Sequence, residues 1–144
     1  MLKPNILVLC TGNSCRSQMA EGYLRFFVNG HANVYSAGVE KHGVNPKAIA
    51  IMEEIGIDIS MHTSNLIDEY LGIDFDFIIT VCDNARERCP YFPSNAKRVH
   101  QDFPDPSKAE GTLEEIDAAF RSTREMIKNY CNEFSKVNIL PANY

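Results

Sequence analysis

The chain has 144 residues, of which 44% are hydrophobic and 23% are charged, and its formal net charge is -5. This length suits one domain, and the composition is that of a globular protein rather than a disordered one. The negative charge argues against a general nucleic-acid-binding protein, which would need a basic surface. No apolar stretch has the length of a membrane span and no secretory signal opens the sequence, so we expect a cytoplasmic protein.

The first elements predicted along the chain are a strand, a helix and a second strand. Residues 5–9 form an apolar run that is typical of a buried strand. Apolar residues at helical spacing follow from Ser17 and stop at Asn29-Gly30, a pair that favours a helix end. Residues 33–37 are short and β-prone.

Two helices and two further strands are predicted in the middle of the chain. Asn45-Pro46 places a capping side chain before a proline that suits the first helical position, and Gly56 ends that helix. The apolar spacing over 64–71 predicts another short helix. Residues 75–81 are typical of a central strand, whereas the more polar residues 97–101 indicate an edge strand.

The last element is predicted to be a long amphipathic helix. Thr112 and Glu115 form the pattern of a capping box at its start, and apolar residues at helical spacing continue to Tyr130. Strands and helices therefore alternate, which favours a four-stranded parallel sheet with helices on both faces. We found no repeat or linker, so the whole chain, 1–144, is predicted to be one α/β domain.

Three chemically distinctive segments fall where predicted strands end. Cys10 follows the first strand, Cys82 follows the central strand, and a loop rich in Asp and Pro follows Gln101. Ligands of open parallel sheets bind beyond the carboxyl ends of the strands. We therefore expect these segments to meet in one site.

The segment CTGNSCRS, residues 10–17, has the properties of an anion-binding loop. A loop between a strand and a helix start directs backbone N–H groups inward, and Arg16 can clamp two oxygens of a tetrahedral anion. Gly12 can supply a positive φ angle and Asn13 tolerates one. Beside a helix start and an arginine, Cys10 is expected to lose its proton readily. The Gly-Lys-Ser/Thr ending of a Walker A loop is absent.

The five cysteines are an odd number, and they leave several interpretations open until the wider motifs are considered. They lie at positions 10, 15, 82, 89 and 131. In a reducing cytoplasm cysteines are more often buried, catalytic or metal-binding than paired in structural disulfides.

Three motifs in order along the chain resemble a known family. CTGNSCRS resembles the active-site loop of low-molecular-weight protein tyrosine phosphatases. VCDNARERCP and FPDPSKAEGT narrow the resemblance to the thioredoxin-coupled arsenate reductases built on that fold. The resemblance implies a cytoplasmic, monomeric enzyme of arsenical resistance that reduces arsenate to arsenite.

The resemblance also implies a role for each motif. Cys10 would attack arsenate and Asp105 would protonate the departing oxygen, while Cys82 and then Cys89 would pass on a disulfide that thioredoxin finally reduces. Arg16 would bind the anion and stabilise its charge. The predicted substrate-binding residues are Thr11, Gly12, Asn13, Ser14, Cys15, Arg16 and Ser17.

Alternatives remain at two of these positions. From the residues alone, Asp105 is also typical of a turn, and Asp102 is a rival for the acid. The pair Cys82 and Cys89 could instead be half a zinc site or two core residues, although no matching Cys/His pair follows at zinc-ligand spacing.

The alternative functions are a phosphotyrosine phosphatase with no need of a second thiol and a non-catalytic redox sensor that uses no arsenate. Phosphatases of this fold typically carry aromatic residues after the acid, whereas residues 106–110 here are Pro-Ser-Lys-Ala-Glu. This difference favours a small inorganic anion as the substrate, with aryl-phosphate hydrolysis as a weak side activity.

Some members of the family hold potassium behind the loop, at positions that match Asn13, Glu21, Ser36 and Asn65. Position 65 is commonly acidic in those relatives, so we expect at most weak potassium binding and no tightly bound cofactor. His62 and His100 have no second ligand at metal spacing and are predicted to have ordinary polar partners. Cys15 is predicted to be buried and inert, with a protective pairing to Cys10 as the alternative, and Cys131 is predicted to pack in the last helix.

Overall fold

The computed structural model describes residues 3–83 and 95–143 of the chain. Its centre is a parallel sheet with the strand order β2-β1-β3-β4. The strands are β1 (Asn5–Cys10), β2 (Asn33–Gly38), β3 (Phe77–Thr80) and β4 (Lys97–His100). All residues of β1 after the first are buried, as its apolar run and central position require.

In the described part of the chain, three α-helices and two short 3-10 helices pack around this sheet. The α-helices are α1 (Arg16–Val28), α2 (Pro46–Glu53) and α3 (Leu113–Asn138), and the 3-10 helices are Ile67–Tyr70 and Pro106–Lys108. Within residues 3–83 and 95–143, no helix combines the length and apolarity that a membrane crossing needs.

The helix ends follow the local sequence signals. The side chain of Asn45 accepts from the backbone N–H groups of Lys47 and Ala48 and so caps α2. Thr112 and Glu115 form the predicted capping box of α3. Asn29 adopts the left-handed conformation at the end of α1, with a φ angle of 46°.

The two faces of the sheet are covered by different elements. Ser36 of β2 donates a hydrogen bond to Glu21 of α1, so this face carries α1. Neighbouring residues of a strand point to opposite faces, so Tyr35 lies on the face opposite Ser36. There its ring contacts the ring of Tyr70 in the first 3-10 helix, with the centroids 5.3 Å apart. The predicted α/β fold with a four-stranded parallel sheet flanked by helices is therefore confirmed.

Two predicted elements are shorter than expected. The predicted helix over 64–71 is reduced to the 3-10 helix Ile67–Tyr70, which has no buried residue. The residue before it, Leu66, donates its backbone N–H to the carboxylate of Glu69. The predicted strand over 75–81 is paired only from Phe77 to Thr80. Phe75 is buried against the ring of Tyr35 instead of pairing in the sheet.

Candidate active site

The loop between β1 and α1 turns its carbonyl groups outward. The carbonyl oxygens of Thr11, Gly12 and Ser14 accept hydrogen bonds from the N–H groups of Glu40, His42 and Asn45. Within the described part of the chain, the N–H groups of residues 12–15 donate no hydrogen bond. These N–H groups and the start of α1 therefore have the arrangement that the predicted anion cradle requires.

The positive φ angle of the loop falls at Asn13, one of the two residues that were expected to allow it, and not at Gly12. Asn13 has a φ angle of 48°, whereas Gly12 has no positive φ. Gly12 is needed for space, because a Cβ atom there would lie only 2.7 and 2.9 Å from Cγ and Cε1 of His42. His42, whose Nε2 contacts Glu40 at 2.7 Å, was not predicted as a site residue, although it also lines the cavity over the loop.

The side chain of Asn13 joins the loop to three neighbouring segments. Its amide nitrogen donates to Ser17 at 2.9 Å and to Ser36 at 3.0 Å, and its oxygen accepts from the N–H of Asn65 at 2.7 Å. Gln18 adds a fourth tie by donating to the carbonyl of Asn13 at 3.0 Å. Asn13 is fully buried, so these bonds fix the loop without any ligand.

Arg16 is the first residue of α1 and points toward the loop that carries Asp105. Its guanidinium donates to the carbonyl of Phe103 at 3.1 Å and lies 3.5 Å from the carboxylate of Asp105. No side chain caps the start of α1 at Cys15. The guanidinium and the uncapped helix start therefore face the same space, as binding of an oxyanion requires.

Cys10 and Cys82 are brought together at the carboxyl edge of the sheet. Both are only 3% exposed. The Sγ of Cys82 lies 3.2 Å from Oγ1 of Thr11, the residue that follows Cys10. The predicted meeting of the segments that end β1 and β3 therefore occurs.

The neighbouring thiol of Cys82 overturns the expectation that Cys10 readily loses its proton. The hydrogen bond with Cys82, followed by burial, raises the pKa of Cys10, although Arg16 and the N–H of Thr11 act in the opposite direction. The physical reason is that two adjacent thiols cannot both become negative at low cost. Cys82 lies 72 positions along the chain from Cys10, so this effect could not be predicted from the residues around Cys10.

Asp105 has the turn role that the sequence left open, and its carboxylate also faces the cavity; its role as the acid stays a prediction. One of its oxygens accepts from the N–H and hydroxyl of Ser107 and so caps the short helix Pro106–Lys108, which is the role of a turn residue. The other oxygen faces Arg16. Asp102 instead accepts from the N–H of Asp83 at 3.2 Å, so it is tied to the segment that carries Cys82.

A cavity of about 400 Å³ lies over the loop and contains most of the predicted site residues. Among the described residues, no Phe, Tyr or Trp lines it, and its charged lining residues are three aspartates and the basic side chains of Arg16 and Lys108. The lining residues are Thr11, Gly12, Ser14, Cys15, Arg16, His42, Cys82, Asp83, Asp102, Asp105, Ser107 and Lys108. A larger cavity of about 610 Å³, between the ends of α1 and α3, contains none of the predicted site residues.

The remaining predicted cysteines lie in different surroundings. Burial, and then the carboxylate of Asp105, raises the pKa of Cys15 to about 12, so this thiol stays protonated. Cys131 is buried in α3 and contacts the carbonyl of Ala20 at 3.8 Å. Cys89 lies outside the described residues.

Both histidines predicted to be ordinary polar residues have polar partners. His62 bonds to Gln18 at 3.0 Å and lies 3.5 Å from Glu21, and burial lowers its pKa. His100 bonds to Thr80 at 2.6 Å and to Asp83 at 2.8 Å. The first histidine supports the loop through Gln18, and the second lies beside Cys82.

The four positions suggested for potassium are only partly assembled. Asn13, Ser36 and Glu21 form a hydrogen-bonded chain, but Glu21 is also bonded to Arg25 at 2.9 Å. The side chain of Asn65 turns away, accepting from Thr63 and donating to Glu69. A cation here would have to compete with the guanidinium and would lack a fourth oxygen, so these residues do not fit tight potassium binding.

Comparisons with known proteins agree with this geometry. The pattern of the family described as low molecular weight phosphotyrosine protein phosphatase matches residues 5–139. The chain belongs to this family. Within it, an arsenate reductase of Halalkalibacterium halodurans is 52% identical over 136 residues, which make up 94% of this chain and 98% of the relative.

Two solved structures are also similar. An arsenate reductase in the phosphate binding state has 34% sequence identity and a TM-score of 0.71, and the match covers 91% of this chain and 95% of that one. The tyrosine phosphatase Wzb from Escherichia coli K30, in complex with sulphate, has a TM-score of 0.77 over 94% of this chain and 99% of that one. Its 23% identity shows the shared fold alone.

Proposed function

We propose that the protein reduces arsenate to arsenite by a thiol relay through Cys10, Cys82 and Cys89. The observation that carries the proposal is the position of a second buried cysteine at the anion loop: Sγ of Cys82 lies 3.2 Å from Oγ1 of Thr11, the residue that follows Cys10. A phosphatase has no need of a second thiol at this place, whereas reduction of arsenic requires two electrons. The names of the relatives at 52% and 34% identity support the same substrate.

The first step forms a bond between the sulfur of Cys10 and arsenic. The N–H groups of the loop and Arg16 hold the anion and stabilise the charge that develops on its oxygens. The leaving hydroxide takes a proton from Asp105 and departs as water, and the proton released by Cys10 restores the Asp105 acid.

The second step transfers the electrons. The thiolate of Cys82 attacks the sulfur of Cys10, the disulfide forms, and the electron pair of the broken sulfur–arsenic bond stays on arsenic. Arsenic thereby gains two electrons and leaves as arsenite. Cys89 then attacks Cys82 and frees Cys10, and the dithiol of thioredoxin reduces the Cys82–Cys89 disulfide.

We place this chemistry in the cytoplasm, in a monomer with no tightly bound cofactor. The four cysteines in the described part of the chain are not joined to one another in disulfides, which suits a reducing compartment. A weak aryl-phosphate hydrolysis is expected in addition, because its first step needs only Cys10, Arg16 and Asp105.

The test is arsenite production with thioredoxin and its reductase, measured for single cysteine variants. Cys10→Ser is expected to abolish both arsenate reduction and any aryl-phosphate hydrolysis. Cys82→Ser and Cys89→Ser should each stop multiple-turnover reduction but leave hydrolysis largely intact. Cys131→Ala is the matched control, because this cysteine lies in α3, away from the cavity.

Mass spectrometry of arsenate-treated protein gives a second measurement. The Cys89→Ser variant should accumulate a disulfide between Cys10 and Cys82. Normal reduction of arsenate by both Cys82→Ser and Cys89→Ser would rule out the relay and favour the phosphatase, and reduction by Cys10→Ser would rule out the nucleophile.

A further inference from the structure

The imidazole of His100 contacts the chain on both sides of Cys82. Its Nδ1 lies 2.6 Å from Oγ1 of Thr80, two residues before Cys82. Its Nε2 lies 2.8 Å from Oδ1 of Asp83, the residue directly after Cys82. We call these three side chains, Thr80, His100 and Asp83, the His100 clip.

The sheet places His100 where it can make both contacts. Thr80 and His100 are register partners at the ends of β3 and β4, so their side chains lie next to each other on one face. A carboxylate accepts only, so Nε2 carries the proton that is donated to Asp83. The ring is fixed at both nitrogens and therefore sets the distance between residues 80 and 83.

Asp83 is held by its backbone as well. The N–H of Asp83 donates to Oδ1 of Asp102 at 3.2 Å. On the other side of Cys82, the carbonyl oxygen of Thr80 accepts from the N–H of Gln101 at 2.9 Å. The Asp83 side chain is itself 66% exposed, so it adds little to the core. Its contacts serve to fix the path of the chain at Cys82.

We propose that His100 and Asp83 are positioning residues that hold Cys82 against Cys10 for the step that releases arsenite. This inference rests on the proposed function. In that step the Cys82 sulfur must reach the Cys10 sulfur from the side opposite the sulfur–arsenic bond, so a small rotation of Cys82 would lower the rate. The clip has to open afterwards, because Cys82 leaves Cys10 to pair with Cys89.

The test measures formation of the Cys10–Cys82 disulfide in a Cys89→Ser background, where the relay stops at that bond. Protein is mixed with saturating arsenate, quenched by alkylation at set times, digested without reductant and quantified by mass spectrometry. A parallel reaction uses diamide, a general dithiol oxidant, in place of arsenate. The diamide reaction reports the positions of the two thiols whether or not arsenate is the substrate.

Asp83→Ala is expected to slow disulfide formation about tenfold in both reactions, the size expected for loss of one hydrogen bond to a charged group. Asp83→Asn keeps an oxygen for Nε2 without the charge and should restore a rate close to that of the parent. Glu133→Ala, which removes an exposed charge of α3, is the control and should leave the rate unchanged.

A double-mutant cycle tests whether the two residues act through one bond. His100→Ala combined with Asp83→Ala should be no slower than the slower single variant. Circular dichroism on every variant shows whether the fold is retained, and the exposed Asp83 variants test the proposal even if His100→Ala unfolds.

The outcomes separate the two proposals. An unchanged rate of disulfide formation in Asp83→Ala would overturn the proposal. So would a loss of rate in Asp83→Asn as large as that in Asp83→Ala, because the effect would then come from the charge of Asp83 and not from its hydrogen bond to His100. If arsenate gives no disulfide in the parent while diamide gives the expected pattern, the clip stands and the proposed function fails.

Discussion

Replacement of Gly38 by alanine tests whether the anion loop must hold its observed position. Gly38 ends β2 directly beneath the loop. A Cβ atom there would lie closest to the carbonyl oxygen of Glu40, and 2.7 and 2.8 Å from the backbone oxygen of Thr11 and nitrogen of Asn13. Ordinary contacts of a Cβ atom begin near 3.4 Å, so the loop would have to retreat by about 0.7 Å.

This displacement is large for a catalytic loop. Backbone atoms cannot rotate away as a side chain can, and constellations that bind or react must be held within about 0.5 Å. A misplacement near 1 Å costs about a hundredfold in rate, so we expect Gly38→Ala to lower kcat/KM for arsenate by about 10- to 100-fold. The overpacking should also destabilise the fold by about 1–3 kcal/mol.

The assay compares Gly38→Ala with Gly72→Ala. An added Cβ at Gly72 meets no atom within 4 Å, and its φ angle is not positive, so this control should change stability by less than about 0.5 kcal/mol. Phosphate protection of Cys10 against iodoacetamide measures anion binding independently of turnover. Equal kcat/KM and equal protection in the two folded variants would refute the reasoning.

Three further predictions follow from the described contacts. Cys82→Ala removes the hydrogen bond that raises the pKa of Cys10, so the pH profile of Cys10 alkylation should move to lower pH; an unmoved profile would contradict this cause. Asn45→Ala removes the cap of α2 and should cost about 1 kcal/mol in the free energy of unfolding, measured with urea; no change would mean that the cap is not stabilising. Burial raises the pKa of Cys131 above its ordinary value of 9.0, so its thiol stays protonated in the fold while the unfolded chain releases the proton. Stability should therefore fall as pH rises above 9.0, and Cys131→Ala should reduce that slope by about 1.4 kcal/mol per pH unit; identical slopes would refute the assignment.

The sequence was most informative where local chemistry decides the structure. The caps at Asn45 and Thr112 depend on side chains two or three residues from their partners, so their pattern is visible along the chain. The same holds for the strand that carries Cys10, because a buried central strand requires a continuous apolar run.

Features that depend on distant partners could not be predicted in this way. The side chain of Asn13 bonds to Ser36 and Asn65, which are 23 and 52 positions away. The raised pKa of Cys10 depends on Cys82, which only the parallel pairing of β1 and β3 brings near. The predicted helix over 64–71 was too long for a related reason: the spacing of its apolar residues suggested a buried face, but the 3-10 helix Ile67–Tyr70 has no buried residue.

The ties made by Asn13 have a consequence for the response of the site to heat. Because the side chain bonds to α1, to β2 and to the segment at residue 65, the loop shares the cooperative unit of the core rather than opening alone. The temperature at which anion binding is lost should then coincide with the melting temperature of the domain.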